Sequence, residues 1–215
     1  EYSPRRSQNC QHYYPENDHT HDTAIVSLFE QVASRTLDMI VEWMRVGFTH
    51  GVMNTDNMSM LGLTIDYGPY SMLDNYDANF TPNTTDLPGR RYAFGKQAPV
   101  ACWNLEQLAD ALSCVLPKGQ SLNALVEGLG GMINEKYVAM VEKKIGVPAR
   151  GPETSVPLLK DLLALLQGGG FDYTLFFQEL RVLRRNPFET DIVPHIDRFL
   201  LLQREPDSMV VKEQL

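Results

Sequence analysis

His50-Gly51-Val52-Met53-Asn54-Thr55-Asp56-Asn57-Met58-Ser59-Met60-Leu61-Gly62-Leu63-Thr64-Ile65-Asp66-Tyr67-Gly68-Pro69 is the stretch whose reading decides the fold. Two oxygen-rich points, Asp56-Asn57 and Asp66, flank two short apolar runs, Met58–Leu61 and Leu63–Ile65, which pivot about Gly62. The pattern predicts a loop and then a tight hairpin that ends at Asp66-Tyr67-Gly68-Pro69. Carboxylate and carboxamide oxygens suit Mg2+, a hard ion that accepts a few protein oxygens and completes its octahedron with water and phosphate. Asn57 and Asp66, converging across one hairpin, are therefore candidate metal ligands. Asp56, next to a ligand, is placed to take a proton from a substrate hydroxyl. The same residue types also build ordinary turns, so spacing alone leaves both readings open.

Upstream, Ile25, Leu28, Phe29, Val32, Thr36, Met39, Ile40, Trp43 and Met44 recur at three- and four-residue steps. This predicts a core helix from about Thr23 to Val46, with Asp22 or Thr23 able to cap its start and Gly47 to stop it. Residues 1–22 read as a loop segment, with Pro4, Pro15 and a polar run. His12, His19 and His21 fall there without paired cysteines, which argues against a zinc site.

Downstream, residues 71–100 are rich in Asp, Asn, Thr, Pro and Gly, and read as one long loop of the kind that is usually functional. Arg90 and Arg91 lie in it, and read equally well as phosphate contacts or as a solvated pair. From Asn104 the chain turns helical: Leu105, Leu108, Ala109, Leu112 and Val115 make one stripe. One or two helices follow between Leu122 and Ile145, then Pro157–Gln167, Tyr173–Arg185 and Ile192–Glu205. Trp103 reads as a core anchor, His195 as a lone surface or satisfied histidine, and Gly168–Gly170 as a hinge. The expected class is mainly α, a helical body with one short β-hairpin carrying the metal-binding loop.

A net charge of −8 argues against non-specific binding to nucleic acid or an anionic membrane. No apolar run approaches the roughly 18–20 residues of a membrane span. Cys10, Cys102 and Cys114 are too widely spaced for a disulfide framework or a paired-cysteine metal site, and read as free thiols.

The order helix, H-x-x-x-x-x-x-N loop, hairpin, D-x-G is that of protein-kinase catalytic lobes, where the Asn and the D-F-G Asp hold metal ions. Aligning His50 and Asn57 on that pattern puts Val52 where the kinase base belongs. Valine accepts no proton, so ordinary phosphoryl transfer, including that of a small-molecule kinase, is disfavoured while the metal ligands remain.

This combination resembles the selenoprotein O family of pseudokinases. The likeness runs from His50 to Pro69 and through Leu73-Asp74-Asn75-Tyr76-Asp77, Gly89-Arg90-Arg91-Tyr92-Ala93-Phe94 with Gln97, and Trp103-Asn104-Leu105, weakening in Asp172–Phe177. The resemblance implies that residues 23–185 form the C-lobe of a protein-kinase-like fold. Within it, 48–70 would be the catalytic loop, 71–100 an activation-type loop and 104–185 the helical body, with 186–215 a C-terminal helix and divergent tail. It implies ATP as substrate, bound in a flipped orientation, with AMP transferred to Ser, Thr or Tyr hydroxyls of proteins. It further implies Mg2+ or Mn2+ on Asn57 and Asp66, and Asp56 as the base. The family's nucleotide-binding N-lobe, with its Lys–Glu pair, has no counterpart in this sequence, so a separate lobe or a larger assembly is expected. A catalytically inactive lobe serving as a binding or structural subunit is the alternative. Pro82 stands where many members have a loop cysteine, so the family's redox pairing is not implied here. The wording of Thr81–Arg91 resembles plant-type eukaryotic members, which implies a mitochondrial or other organellar location.

Overall fold

The computed structural model describes residues 24–66, 68–147 and 151–185. The expected N-terminal loop, the helix at Ile192–Glu205, His195 and Tyr67 lie outside the described residues.

Helix α1, Ala24–Val46, is the axis of the molecule. Eleven of its side chains are buried, from Leu28 and Phe29 through Trp43 and Met44, too many for a single stripe, so neighbours cover it on several sides. It stops at Gly47, whose φ of 81° is left-handed. A Cβ there would also meet the Tyr173 ring at 2.9 Å, so stereochemistry and packing both require glycine.

The chain then enters β1, Phe48–Thr49, which pairs antiparallel with β2, Ser71–Met72, in the register Phe48↔Met72 and Thr49↔Ser71. A two-stranded sheet is present, but not where the apolar runs placed it. No ladder forms between Met58–Leu61 and Leu63–Ile65; the paired strands bracket the whole stretch instead. The enclosed chain lies against α1, because its polar groups find partners elsewhere. Trp43 Nε1 donates to Thr64 Oγ1 at 2.9 Å, and His50 Nε2 donates to the Ile65 carbonyl at 2.8 Å. Gly62 passes so close that a Cβ would meet the Arg35 backbone oxygen at 2.8 Å.

Helix α2, Gln97–Ser113, begins seven residues before the expected Asn104. Its early Pro99 is tolerated, because first-turn N–H groups have no partner within the helix. The long loop is correspondingly shorter, and carries 3-10 turns at Thr84–Asp86 and Phe94–Lys96. Helix α3, Asn123–Ile145, is one continuous helix ended by left-handed Gly146. Helix α4, Pro152–Gly169, contains Pro157 rather than starting on it, and takes Gly168 and Gly169 into its last turn before left-handed Gly170. Helix α5, Tyr173–Arg185, has the expected bounds. The start of α5 is tied to the loop after β2 by Tyr173 N–H to the Asp74 carbonyl at 2.7 Å, and by Tyr76 N–H to the Phe171 carbonyl at 2.9 Å. Tyr76, Phe94 and Tyr173 pack their rings at that junction.

Lys144, near the end of α3, fastens the same region. Its ammonium donates to the Arg45 carbonyl at 2.6 Å and lies over the rings of Tyr173 and Phe177. Burial, helped by the Arg45 charge, lowers its pKa to about 7 from 10.5. A lysine whose folded pKa is depressed binds fewer protons folded than unfolded over that interval, so its contribution to stability rises with pH above about 7. Thermal unfolding between pH 7 and 9 should show the midpoint rising in the wild type, by at most about 1.4 kcal/mol of stability per pH unit. Lys144→Met should remove that rise.

Candidate functional site

The stretch from His50 is held by buried polar side chains reaching in from α2. Gln97, fully buried, accepts from His50 N–H at 3.0 Å and donates to the Phe48 carbonyl at 2.9 Å. Asn104 Nδ2 donates to the Met53 carbonyl at 3.0 Å. Met53 itself is a fully buried apolar anchor. His50, equally buried, stacks on Trp43 at 5.3 Å between ring centroids. Its Nδ1 accepts from Val52 N–H at 3.3 Å while Nε2 donates to the Ile65 carbonyl, so the two bonds select the tautomer with hydrogen on Nε2.

From this anchored base the chain rises into the 3-10 turn Thr55–Asn57, closed by Asn57 N–H to the Asn54 carbonyl at 3.0 Å. Asp56 is exposed at its middle. Asn57 is half-buried, and its Nδ2 donates to the Val52 carbonyl at 3.2 Å. With the amide nitrogen so engaged, Oδ1 is the Asn57 atom able to face a cation. Asp66 is exposed and left-handed, with φ 55°, a conformation aspartate tolerates better than most residues. Two contacts bring its segment to the loop: the His50–Ile65 bond immediately before it, and Gly68, whose would-be Cβ lies 3.6 Å from Val52 Cγ2. Asn57 and Asp66 thus both depend on the residues 50–52 for their placement. Among the described residues no group of three or more His, Cys, Asp or Glu is arranged to hold a metal. The donors on offer are instead one carboxamide and one carboxylate, hard oxygens few in number. That set fits a hard divalent cation bound jointly with phosphate better than a metal caged wholly by protein.

The two arginines make their own contacts. Arg90, with φ 46°, donates from Nη1 to the Asn79 carbonyl at 3.1 Å. The Arg91 guanidinium sits 4.6 Å from the centre of the Trp103 ring. Trp103 is 42% exposed, a platform for this cation rather than the core anchor its size suggests. Sequence reasoning assigned no role to Asp86 or Tyr92, nor to the bonds Gln97 and Asn104 make. No sequence signal pointed to Gln97 as a backbone clamp, because the expected helix began seven residues later and left it in the loop.

Cys102 is half-buried and Cys114 exposed, both free, and burial raises the Cys102 thiol pKa. No described helix is long and apolar enough to cross a membrane.

Comparison with known proteins adds the family. A family profile described as "Protein adenylyltransferase SelO" matches residues 7–205. Proteins named protein nucleotidyltransferase YdiU are similar: that of Cytophaga hutchinsonii is 50% identical over 175 residues, covering 81% of this chain and 33% of the relative. That of Tolumonas auensis is 49% identical over 155 residues, covering 72% and 30%. That of Flavobacterium johnsoniae is 44% identical over 174 residues, covering 81% and 33%. The chain spans about a third of the length of these curated relatives. They are bacterial, and lend nothing to the mitochondrial placement expected above. With most of its length matched by the profile and half of the 175 aligned positions identical in such a relative, the chain belongs to the SelO family of protein adenylyltransferases.

Proposed function

We propose that this chain is the metal-binding, kinase-like C-lobe of a protein adenylyltransferase, which passes AMP from ATP to Ser, Thr or Tyr hydroxyls of proteins. The observation that carries the reading is the shared anchorage of Asn57 and Asp66 on residues 50–52, in a chain of this family. In the proposed reaction the hydroxyl oxygen bonds to the α-phosphorus, the bond from that phosphorus to the bridging oxygen breaks, and pyrophosphate leaves. Asp56, exposed beside Asn57, takes the hydroxyl proton. Mg2+ or Mn2+, when held by Asn57 and Asp66, would supply neutralisation of phosphate charge. Val52 fits this assignment: it occupies the kinase-base position, and its backbone N–H and C=O serve the loop through His50 and Asn57. Arg90 and Arg91 remain candidates for contact with the nucleotide or substrate. The Arg90 hydrogen bond to Asn79 and the Arg91 cation–π contact with Trp103 favour a part in building the loop.

The test is positional labelling. Incubated with Mn2+ or Mg2+ and ATP labelled at the α-phosphate, the protein should become labelled, or label an added protein acceptor. ATP labelled at the γ-phosphate should leave protein unlabelled. Label from the γ-position alone would replace the proposal with phosphoryl transfer. Label from neither would favour the second reading, a lobe kept as a binding or structural subunit.

A further inference from the structure

The loop that follows β2 is closed on itself by its own hydrogen bonds. Its base is closed by Phe94 N–H to the Phe80 carbonyl at 2.9 Å and Gly95 N–H to the Ala78 carbonyl at 2.8 Å. Its interior is organised by one side chain. The Asp86 carboxylate accepts from Arg91 N–H at 2.8 Å, Tyr92 N–H at 2.8 Å and Thr81 Oγ1 at 3.3 Å. The Asp86 carbonyl accepts from Arg90 N–H at 2.6 Å, which accompanies the left-handed turn at Arg90.

This self-contained loop is hydrogen-bonded to the site stretch at two points. Asn83 accepts from Thr85 N–H at 3.0 Å within the loop, and donates from Nδ2 to the Gly51 carbonyl at 3.1 Å. Tyr92 donates its hydroxyl to Asn54 Oδ1. Gly51 and Asn54 bound the short segment that leads into the turn Thr55–Asn57, and Asn54 is the residue at the N-terminal edge of that turn, where its side chain makes no cap bond of its own. One bond therefore grips each end of the segment on which Asp56 and Asn57 stand.

We propose that Asn83 and Tyr92 are positioning residues, and that the loop 81–92, folded around Asp86, clamps residues 51–54 so that the turn bearing Asp56 and Asn57 keeps one orientation. The catalytic consequence rests on the function proposed above; the clamp itself does not. Tyr92 acts through Asn54 and touches no reacting atom. Removing its hydroxyl keeps the ring and its packing while releasing the turn.

The test compares wild type, Tyr92→Phe, Asn54→Ala, the double variant and Asn54→Asp by amide hydrogen exchange across residues 51–57 and by Mn2+ affinity from electron paramagnetic resonance with ATP present. Tyr92→Phe should speed exchange of the Asn57 amide and weaken Mn2+ binding, each about fivefold, as expected for loss of one hydrogen bond. Asn54→Ala should do the same, and the double variant should be no worse than either, because both remove one bond. Asn54→Asp, which retains an acceptor for Tyr92, should restore wild-type exchange. Unchanged exchange in Tyr92→Phe, or additive effects in the double variant, would overturn the clamp. Faster exchange with unchanged Mn2+ affinity would overturn its positioning role. If the wild type binds no Mn2+ with ATP present, the function reading fails, and the exchange data still decide the clamp.

Discussion

Asp66→Asn should reduce the proposed metal-dependent transfer of AMP by roughly a thousandfold or more and weaken Mn2+ binding at least about tenfold, with little change in thermal stability. The side chain is exposed, so its loss opens no cavity. Its backbone is left-handed, a conformation that costs alanine about 1–2 kcal/mol more but that asparagine tolerates. Asparagine is therefore the cleaner substitution: it changes the ligand's charge and spares the turn. Asp56→Asn separates the two acidic roles. It should lose transfer to a similar degree while keeping Mn2+ affinity within about twofold, since Asp56 is assigned to the proton and not to the cation. Full Mn2+ affinity in Asp66→Asn would remove it from the ligand set. Full transfer in Asp56→Asn would remove it as the base.

Gln97→Leu is expected to have the largest effect on folding. Its side chain is fully buried and bonds the backbone of Phe48 and His50 at once, at 2.9 and 3.0 Å. Leucine fits the volume but leaves one carbonyl and one N–H without these partners, away from water. Each orphaned group costs about 1–3 kcal/mol, so about 3–5 kcal/mol is expected for the pair. For a protein of this size that is a fall in the unfolding midpoint of about 10 °C. A fall under about 3 °C would mean that the junction relaxes to find other partners. Because Gln97 holds the base of the site stretch, Mn2+ affinity should fall with stability.

The helices were legible where periodicity is strong. The end of α1 at Val46 and the full extent of α5 follow from apolar steps and helix-breaking neighbours. The start of α2 was hidden by Pro99 and by turn-forming residues before it, while the number of helices between Leu122 and Ile145 stayed open. Gly128, Gly130 and Gly131 interrupt the apolar pattern of α3, and none of them prevents one continuous helix. The misplaced hairpin has a different cause. Two apolar runs around a glycine look the same whether they pair with each other or lie on a helix, and what decides is Trp43 and His50 supplying partners from distant positions. Trp103 was misjudged because size predicts burial, whereas Arg91 gives its ring a cationic partner at the surface.

The candidate site shows the same division. Asp56, Asn57 and Asp66 were nameable because chemistry attaches to residue type at short spacing. The support supplied by Gln97 and Tyr92 was not, because each bonds to a segment far away in sequence. Tyr92 reaches back 38 positions to Asn54, and Gln97 reaches back 47 to His50.

The pairing of Phe48 with Met72 has a consequence for how the molecule comes apart. Every residue assigned to metal or proton lies between those two partners, on a strip of chain hung like a bridge between two piers. The helices are the ground on which the piers stand, and the middle of the bridge, with Asp56 and Asp66, is exposed. Local opening of such a strip costs less than global unfolding. Under heat or denaturant the protein is therefore built to lose its chemistry first and its shape later.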